Sequence, residues 1–81
     1  MIKPKLYVKE GCPWCDEAEE FLESKKIAYE RIEVRSNKAA FDEMIELSGQ
    51  SKTPTMDWDG EVLADFGLDE LIPFLQNKGI L

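Results

Sequence analysis

The stretch LYVKEGCPWC, residues 6–15, decides how this chain folds. Its apolar start, 6–8, is typical of a short strand, and Pro13 suits the first turn of a helix, where a missing N–H costs nothing. Cys12 and Cys15 are the only cysteines in the sequence, and their spacing holds both thiols within one helical turn. Such a pair can close a small-ring disulfide and reopen it with little backbone movement. The stretch therefore predicts reversible thiol–disulfide chemistry where a strand turns into a helix.

The segment after this first helix predicts a second strand and a second helix. Residues 29–34 alternate apolar and charged side chains, as a half-buried strand does. Ser36 or Asn37 can cap the helix that follows, and Gly49 ends it. A strand, a helix and another strand in succession predict a right-handed crossover between two parallel strands.

The remainder predicts a hairpin and a last helix. Two strands, 55–58 and 61–63, flank Asp59-Gly60, which is the strongest short signal for a hairpin turn. Asp69 is placed to cap the final helix. The complete order is β-α-β-α-β-β-α, with four strands in a mixed sheet and helices on both faces. This order predicts an α/β fold with the minimal thioredoxin-like architecture.

Size and composition limit what the chain can be. Its 81 residues, 43% hydrophobic and 33% charged, indicate a single globular domain over 1–81. The formal charge of −7 opposes nucleic-acid binding, because a polyanion requires a basic face. No apolar run approaches the roughly 18 residues of a membrane span, and nothing marks a secretory signal. We expect a monomer in the cytoplasm that binds neither nucleic acid nor membrane.

The position of the cysteines assigns them different roles. Cys12 lies at the tip of the predicted helix, where unpaired N–H groups and the positive end of the helix dipole favour an anion. Lys9 can add a positive charge nearby, so we expect the pKa of Cys12 to lie below that of a free thiol. Cys15, one turn further in, is expected to resolve the mixed disulfide that Cys12 forms. Trp14 supplies a flat apolar surface beside the pair.

Two cysteines at this spacing have other possible uses. A permanent disulfide would close so short a loop that it gains little entropy. A zinc site needs about four ligands, and the sequence has two cysteines and no histidine, so no internal metal site is expected. An iron–sulfur cluster or a metal shared between two subunits remains open.

The run YVKEGCPWC, residues 7–15, resembles the active-site segment of the glutaredoxin family. That family typically shows an aromatic residue at the strand end, a lysine three residues before the first cysteine, and then Cys-Pro-Tyr-Cys. Lys9 matches the lysine, and Trp14 replaces the tyrosine with another aromatic ring. The element order and the length agree over nearly the whole chain. The resemblance implies a thioredoxin-like fold of the glutaredoxin type.

A second match lies at Thr53-Pro54, which aligns with the family's Thr-Val-Pro around a cis proline that faces the cysteines. Here Lys52 stands at the family's threonine and Thr53 at its valine. The resemblance implies that the backbone of Thr53 pairs with glutathione as an added strand, its side chain being secondary, and that Pro54 borders the tripeptide. It also implies that Lys9 and Trp14 lie beside bound glutathione.

The segment ADFGLD, residues 64–69, departs from the family pattern. Asp65 stands at the family's second glycine, where its charge would clash with a glutathione carboxylate or bind the tripeptide's α-amino group. The second role is that of an acidic residue in the amino-terminal domain of glutathione transferases, which this segment also resembles. Asp69 is the other candidate for that amino group. The spacing of Phe66 and Asp69 is similar, too, to glutaredoxin-like redoxins that take electrons from thioredoxin reductase.

These features predict a thiol–disulfide oxidoreductase that reduces protein disulfides or glutathione mixed disulfides. On this hypothesis Cys12 attacks, Cys15 resolves, glutathione is the co-substrate, and no cofactor is tightly bound. Two alternatives stay open. One is a redoxin reduced by thioredoxin reductase, and the other is an iron–sulfur or partner-binding module.

Overall fold

The computed structural model describes residues 3–81, so the first two residues of the predicted domain lie outside the description. Within 3–81 the elements follow the predicted order. They are β1 (Lys5–Val8), α1 (Pro13–Ser24), β2 (Glu30–Glu33), α2 (Lys38–Ser48), β3 (Thr55–Trp58), β4 (Glu61–Ala64) and α3 (Leu68–Asn77). None of the helices in this part of the chain is long and apolar enough to cross a membrane.

The four strands form one mixed sheet in the order β2-β1-β3-β4. β1 and β2 are parallel, as the crossover through α1 requires, whereas β3 pairs antiparallel with both β1 and β4. Tyr7 faces Ile32 on one side and Thr55 on the other, so β1 lies in the interior of the sheet. This arrangement brings the carboxyl end of β1 and the start of β3 to the same edge. The cysteine loop and Thr53-Pro54 therefore meet there.

Side chains alternate between two cores because successive residues of a strand point to opposite faces. Leu6 and Val8 pack with α1 and α3 in the larger core, while Tyr7 packs with Val34 and Met44 of the α2 side. Cys15 belongs to the larger core. The predicted thioredoxin-like fold, a four-stranded mixed sheet with helices on both faces, is confirmed.

The predicted cap of the last helix is wrong. Gly67, not Asp69, is the N-cap residue, and α3 begins at Leu68. The Gly67 N–H donates to Glu70 Oε1 at 2.7 Å, so the Glu70 carboxylate pairs with a backbone donor at the start of the helix. Asp69 lies inside the first turn instead. For α2 the prediction is confirmed: Asn37 accepts from the Ala40 N–H at 3.1 Å.

Candidate active site

The N-terminus of α1 presents the Cys12 sulfur to its own backbone donors. Cys12 is the N-cap residue, and its Sγ accepts a hydrogen bond from the Cys15 N–H at 3.3 Å. The Cys12 N–H in turn donates to the Lys9 carbonyl at 3.1 Å, which closes a turn through Gly11. Gly11 has a φ of +85°, a left-handed conformation that glycine adopts without steric cost. The loop thus holds the sulfur where a helix would otherwise leave N–H groups unpaired.

The two thiols have opposite electrostatic environments. Burial tends to raise the pKa of Cys12, but hydrogen bonds from the Cys15 thiol, the Cys15 and Trp14 backbone and the Thr53 hydroxyl outweigh it, so the pKa falls below its ordinary value. Burial, followed by the hydrogen bond that its thiol donates to Cys12, raises the pKa of Cys15 to about 11. Both thiols are free, with Cys12 partly exposed and Cys15 buried. Near neutral pH the accessible sulfur is the more acidic one.

Thr53, the residue before Pro54, lies directly against the Cys12 sulfur. The Thr53–Pro54 peptide bond is cis, as the sequence resemblance implied. Cys12 Sγ lies 3.8 Å from the Thr53 carbonyl oxygen and 3.8 Å from the Thr53 hydroxyl. Thr53 is 8% exposed, so both its side chain and its backbone face the sulfur from a buried position. The hydroxyl contact was missed from the sequence, because nothing in a linear pattern shows which face of Thr53 meets the cysteine.

A groove with a volume of about 340 Å³ opens between Trp14 and the start of α3, and we call it the Trp14 groove. The Trp14 side chain is 63% exposed, which leaves its ring available to a ligand. Thr53 forms part of the wall. Among the described residues that line this groove none is basic, and four carry carboxylates: Glu17, Asp65, Asp69 and Glu70. The structure therefore brings together four of the predicted ligand-binding residues, Trp14, Thr53, Asp65 and Asp69, in an acidic setting.

Asp65 has a backbone conformation that explains the glycine in the family pattern. Its φ is +51°, in the left-handed region where a residue with a side chain is strained and aspartate is among the better tolerated. Its N–H donates to the Pro54 carbonyl at 3.0 Å, which ties the groove wall to the cis proline. Its carboxylate lies 4.0 Å from the Lys52 ammonium. Two of the departures from the family pattern, Lys52 and Asp65, are thus neighbours of opposite charge.

Lys9 lies on another side of the loop from the Trp14 groove. Its ammonium donates to the Ser51 carbonyl at 3.1 Å and lies 5.5 Å from the centre of the Phe41 ring. Lys9 also lines a small pocket with Arg35. Through the contact with Ser51, the Lys9 ammonium lies at one end of the 51–53 segment, and Thr53, which lines the Trp14 groove, lies at the other end. The lowered pKa of Cys12 accordingly depends on hydrogen bonds to the sulfur.

Glu33 supports the cysteine loop from the end of β2, a role that the sequence did not reveal. Its Oε2 accepts from the Glu10 N–H at 2.9 Å, and its Oε1 accepts from the Ser36 N–H and hydroxyl at 2.9 and 2.8 Å. The bonds from the Glu10 and Ser36 backbone lower the pKa of Glu33 to about 2. No local pattern predicts this, because Glu10 and Glu33 are 23 residues apart.

The described residues contain no group of three or more cysteine, histidine or acidic side chains that could hold a metal ion. What this site offers instead is a pair of thiols in which one sulfur is acidic and accessible and the other is protonated and covered. A thioredoxin-like sheet that carries such a pair at the start of its first helix, against a cis proline, defines a thiol–disulfide oxidoreductase.

Comparisons with known proteins identify the family within this class. The family model for glutaredoxin matches residues 5–63. An uncharacterised glutaredoxin-like 8.6 kDa protein in the rubredoxin operon of Clostridium pasteurianum is 34% identical over 67 residues, which cover 83% of this chain and 89% of that protein. Glutaredoxin 3 of Escherichia coli strain K12 is 32% identical over 71 residues, which cover 88% and 83%.

Solved structures agree with these sequence relatives. The crystal structure of the thioredoxin-like protein BC3987 superposes with a TM-score of 0.81 at 34% identity, covering 90% of this chain and 100% of that one. The chain belongs to the glutaredoxin family, whose members are thiol–disulfide oxidoreductases.

Proposed function

We propose that this protein is a dithiol glutaredoxin that reduces protein disulfides or glutathione mixed disulfides and is regenerated by glutathione. The observation that carries the proposal is the acidic Cys12 sulfur, which caps α1 beside an open groove while Cys15 stays buried one turn away. The thiolate is the nucleophile in disulfide exchange, so the exposed sulfur with the lower pKa attacks first.

The reaction proceeds in two exchanges. The Cys12 thiolate attacks one sulfur of the substrate disulfide, a Cys12–substrate disulfide forms, and the other substrate sulfur leaves and takes up a proton. Cys15 then loses its proton and attacks Cys12 Sγ, which releases the second substrate thiol. The substrate gains two electrons, and the protein is left with a Cys12–Cys15 disulfide. Two glutathione molecules return it to the dithiol form and leave as glutathione disulfide.

The distribution of charge around Cys12 supports glutathione as the reductant. Asp65 and Asp69 line the Trp14 groove, where a carboxylate can pair with the α-amino group of the tripeptide. Lys9 lies at the other end of the 51–53 segment, where its ammonium can pair with the glycine carboxylate. The Thr53 backbone lies between them and offers the extended pairing that β-augmentation uses.

A second candidate reductant is thioredoxin reductase. The observation that favours it is the set of four carboxylates in the Trp14 groove, which would repel the carboxylate of the glutathione γ-glutamyl group. Only Asp65 among them lies within 4.0 Å of a described basic side chain, that of Lys52. A protein donor does not have to place a free carboxylate in this groove, so the same dithiol could be reduced through docking at Trp14.

The two reductants are separated by one pair of coupled assays. Oxidised protein is supplied either with glutathione, glutathione reductase and NADPH, or with thioredoxin reductase and NADPH, and NADPH consumption is followed. We expect faster turnover with glutathione, and Cys12→Ser should abolish it. Turnover confined to the thioredoxin reductase assay would replace glutathione with the second candidate while leaving the dithiol reaction intact.

The proposal includes a monomer that works in the cytoplasm, where glutathione is kept reduced. Both exchanges use cysteines of one chain, so a partner subunit is not required for turnover. Light scattering of the reduced protein under assay conditions tests the monomer. A dimer that dissociates with loss of turnover would contradict it.

A further inference from the structure

The Thr53 hydroxyl points at the reacting sulfur from a buried position. Its oxygen lies 3.8 Å from Cys12 Sγ, within the reach of a hydrogen bond to the large sulfur atom, and the residue is 8% exposed. Thr55, two residues later, directs its own hydroxyl to the Lys52 carbonyl at 2.8 Å instead. The Thr53 hydroxyl therefore faces the Cys12 sulfur, whereas the Thr55 hydroxyl donates to a backbone carbonyl.

We infer that Thr53 is a catalytic residue, whose hydroxyl donates a hydrogen bond to the Cys12 sulfur whenever that sulfur is an anion. The inference rests on the dithiol reaction proposed above and is independent of which reductant serves it. A hydrogen bond to a charged acceptor is about twice as strong as one between neutral groups, so the contact gains strength when the thiol ionises.

The two polar groups of Thr53 fit the two protonation states of Cys12. As a thiol, Cys12 can donate its proton to the Thr53 carbonyl, which lies 3.8 Å from the sulfur. As a thiolate it has no proton to donate, and the hydroxyl and the Cys15 N–H then both point donors at the sulfur. One residue thus offers a hydrogen-bond partner to the Cys12 sulfur in both protonation states.

The same hydroxyl can also serve the second reacting sulfur, that of Cys15. In the first exchange the charge leaves Cys12 for the departing substrate sulfur, and in the second the Cys15 thiol loses its proton and attacks Cys12 Sγ. The Thr53 hydroxyl also acts to lower the pKa of Cys15, against the burial that raises it. When glutathione attacks Cys12 and reopens the Cys12–Cys15 disulfide, the Cys15 sulfur leaves as an anion, and the Thr53 hydroxyl can stabilise it.

The test is the pH dependence of Cys12 alkylation in Thr53→Val, which keeps the shape of the side chain and removes the hydroxyl. Iodoacetamide reacts with the thiolate, so the midpoint of the rate profile reports the pKa of Cys12 without any electron donor. We expect the midpoint to rise by about 1 pH unit. Below both midpoints the rate should fall only about threefold, because a more basic thiolate is a better nucleophile.

Thr53→Ser is the matched control, since it keeps the hydroxyl and loses only the methyl group. It should titrate within about 0.3 pH units of the wild type, less than a third of the shift expected for loss of a charged hydrogen bond. The reduction potential of Thr53→Val should become more negative, by about 30 mV for a tenfold loss of thiolate stabilisation. If Thr53→Val does not fold, as judged by circular dichroism, Thr53→Ala removes the same donor and should shift the midpoint in the same direction.

A Thr53→Val midpoint at the wild-type value, or a Thr53→Ser midpoint displaced as far as that of Thr53→Val, would overturn the inference. Neither result would bear on glutathione, because alkylation needs no reductant. Failure of the coupled assay with glutathione would, conversely, leave the alkylation profile unchanged. The two proposals therefore fail separately.

Discussion

Two helix N-termini border the Trp14 groove, and they are used in opposite ways. At the start of α1 the capping group is the Cys12 sulfur, a neutral thiol that the Cys15 N–H helps to ionise. At the start of α3 the cap residue is Gly67, and the first turn already carries the carboxylates of Asp69 and Glu70. The positive end of a helix dipole stabilises whichever anion lies there. At α1 the Cys12 sulfur itself takes the cap position, with Asp16 as the acid in that first turn. At α3 the first turn holds two acids, and the Glu70 carboxylate already accepts from the N–H of the cap residue.

This difference separates the chemistry from the recognition. The α1 start creates a nucleophile through hydrogen bonds from its own first turn and from Thr53. The α3 start shapes a ligand's surroundings and, through Asp65, makes them more negative than the glycine of the family pattern would. Changes at α1 should alter the rate of exchange, and changes at α3 should alter which reductant or substrate is accepted.

The largest effect is expected from removing the Cys12 sulfur at the start of α1. Cys12→Ser should leave no turnover above the uncatalysed reaction of glutathione with the substrate, because the only exposed thiol is lost. Cys15→Ser should keep activity toward a small glutathionylated thiol, since one sulfur suffices for that exchange. NADPH consumption in the coupled assay measures both. Equal activity of Cys12→Ser and the wild type would remove the basis of the mechanism.

The next effect is the pH dependence of stability of the reduced protein. A lowered pKa at Cys12 means that folding is increasingly favoured as pH rises from that lowered value to the ordinary thiol value of about 9. A raised pKa at Cys15 has the opposite sign: its contribution is present below about 9 and is lost as pH rises toward about 11. Urea unfolding across this range should show a maximum near pH 9.

Single substitutions show which thiol causes the rise and which causes the fall in stability with pH. Cys12→Ser should remove the rise below the maximum, and Cys15→Ser should reduce the fall above it. The tyrosines Tyr7 and Tyr29, whose pKa values are also raised, add to the fall at high pH in every variant. The difference between variants isolates the thiols. A stability that falls steadily from neutral pH upward in the wild type would contradict the lowered pKa of Cys12.

The α1 half of the site was readable from the sequence, whereas on the α3 side the sequence singled out Asp65 and Asp69 but gave the wrong helix cap. Proline after Cys12 and the helical spacing to Cys15 are local signals, and local signals determine a helix start. The cis peptide at Pro54 was implied by the family resemblance. Asp69 was assigned the cap of α3 because aspartate is a favoured cap residue, but Gly67 and Glu70 satisfy that helix start together.

Long-range contacts account for what the sequence left out. The Thr53 hydroxyl and Cys12 are 41 residues apart, and their meeting depends on the pairing of β1 with β3. The proximity of Lys52 to Asp65 arises from the same sheet edge. A sequence pattern records the spacing of neighbours along the chain, so contacts that the sheet creates are not visible in it.

A moderate effect is expected at the α3 side from changing Asp65. Asp65→Gly removes both the carboxylate and the strain of a φ of +51°, while Asp65→Asn removes the charge alone. If repulsion of the glutathione carboxylate dominates, both variants should bind glutathione about threefold more tightly, as an exposed, partly screened charge allows. If Asp65 instead holds the α-amino group, both should bind more weakly. Isothermal titration with glutathione distinguishes these outcomes.

Stability supplies the control for the Asp65 variants. Asp65→Gly relieves the left-handed conformation but makes the unfolded chain more flexible, so the free energy of unfolding should change by less than about 1 kcal/mol. Asp65→Asn keeps the side-chain volume and should match the wild type closely. A change in binding without a change in alkylation of Cys12 would support the division between the two helix starts. Altered alkylation in Asp65→Asn would weaken it.

The smallest effect is expected at Glu33, which supports the α1 loop from outside. Glu33→Gln keeps an oxygen acceptor for the Glu10 N–H, whereas Glu33→Ala removes it. Amide hydrogen exchange at Glu10 and Ser36 should quicken in Glu33→Ala and stay near the wild-type rate in Glu33→Gln. Because the pKa of Glu33 is lowered to about 2, its contribution is complete above the ordinary carboxyl value and is lost only as pH falls toward 2. Unchanged amide hydrogen exchange in Glu33→Ala would show that the cysteine loop keeps its conformation without Glu33.

The most direct test of the account is a titration of the two thiols in the reduced wild-type protein, followed by the ultraviolet absorbance of the thiolate. We predict two separate steps, with Cys12 ionising below the ordinary thiol pKa and Cys15 remaining protonated until near pH 11. Alkylation and mass spectrometry between the steps should find the label on Cys12 alone. A first step at or above the ordinary value, or a label on Cys15, would contradict it.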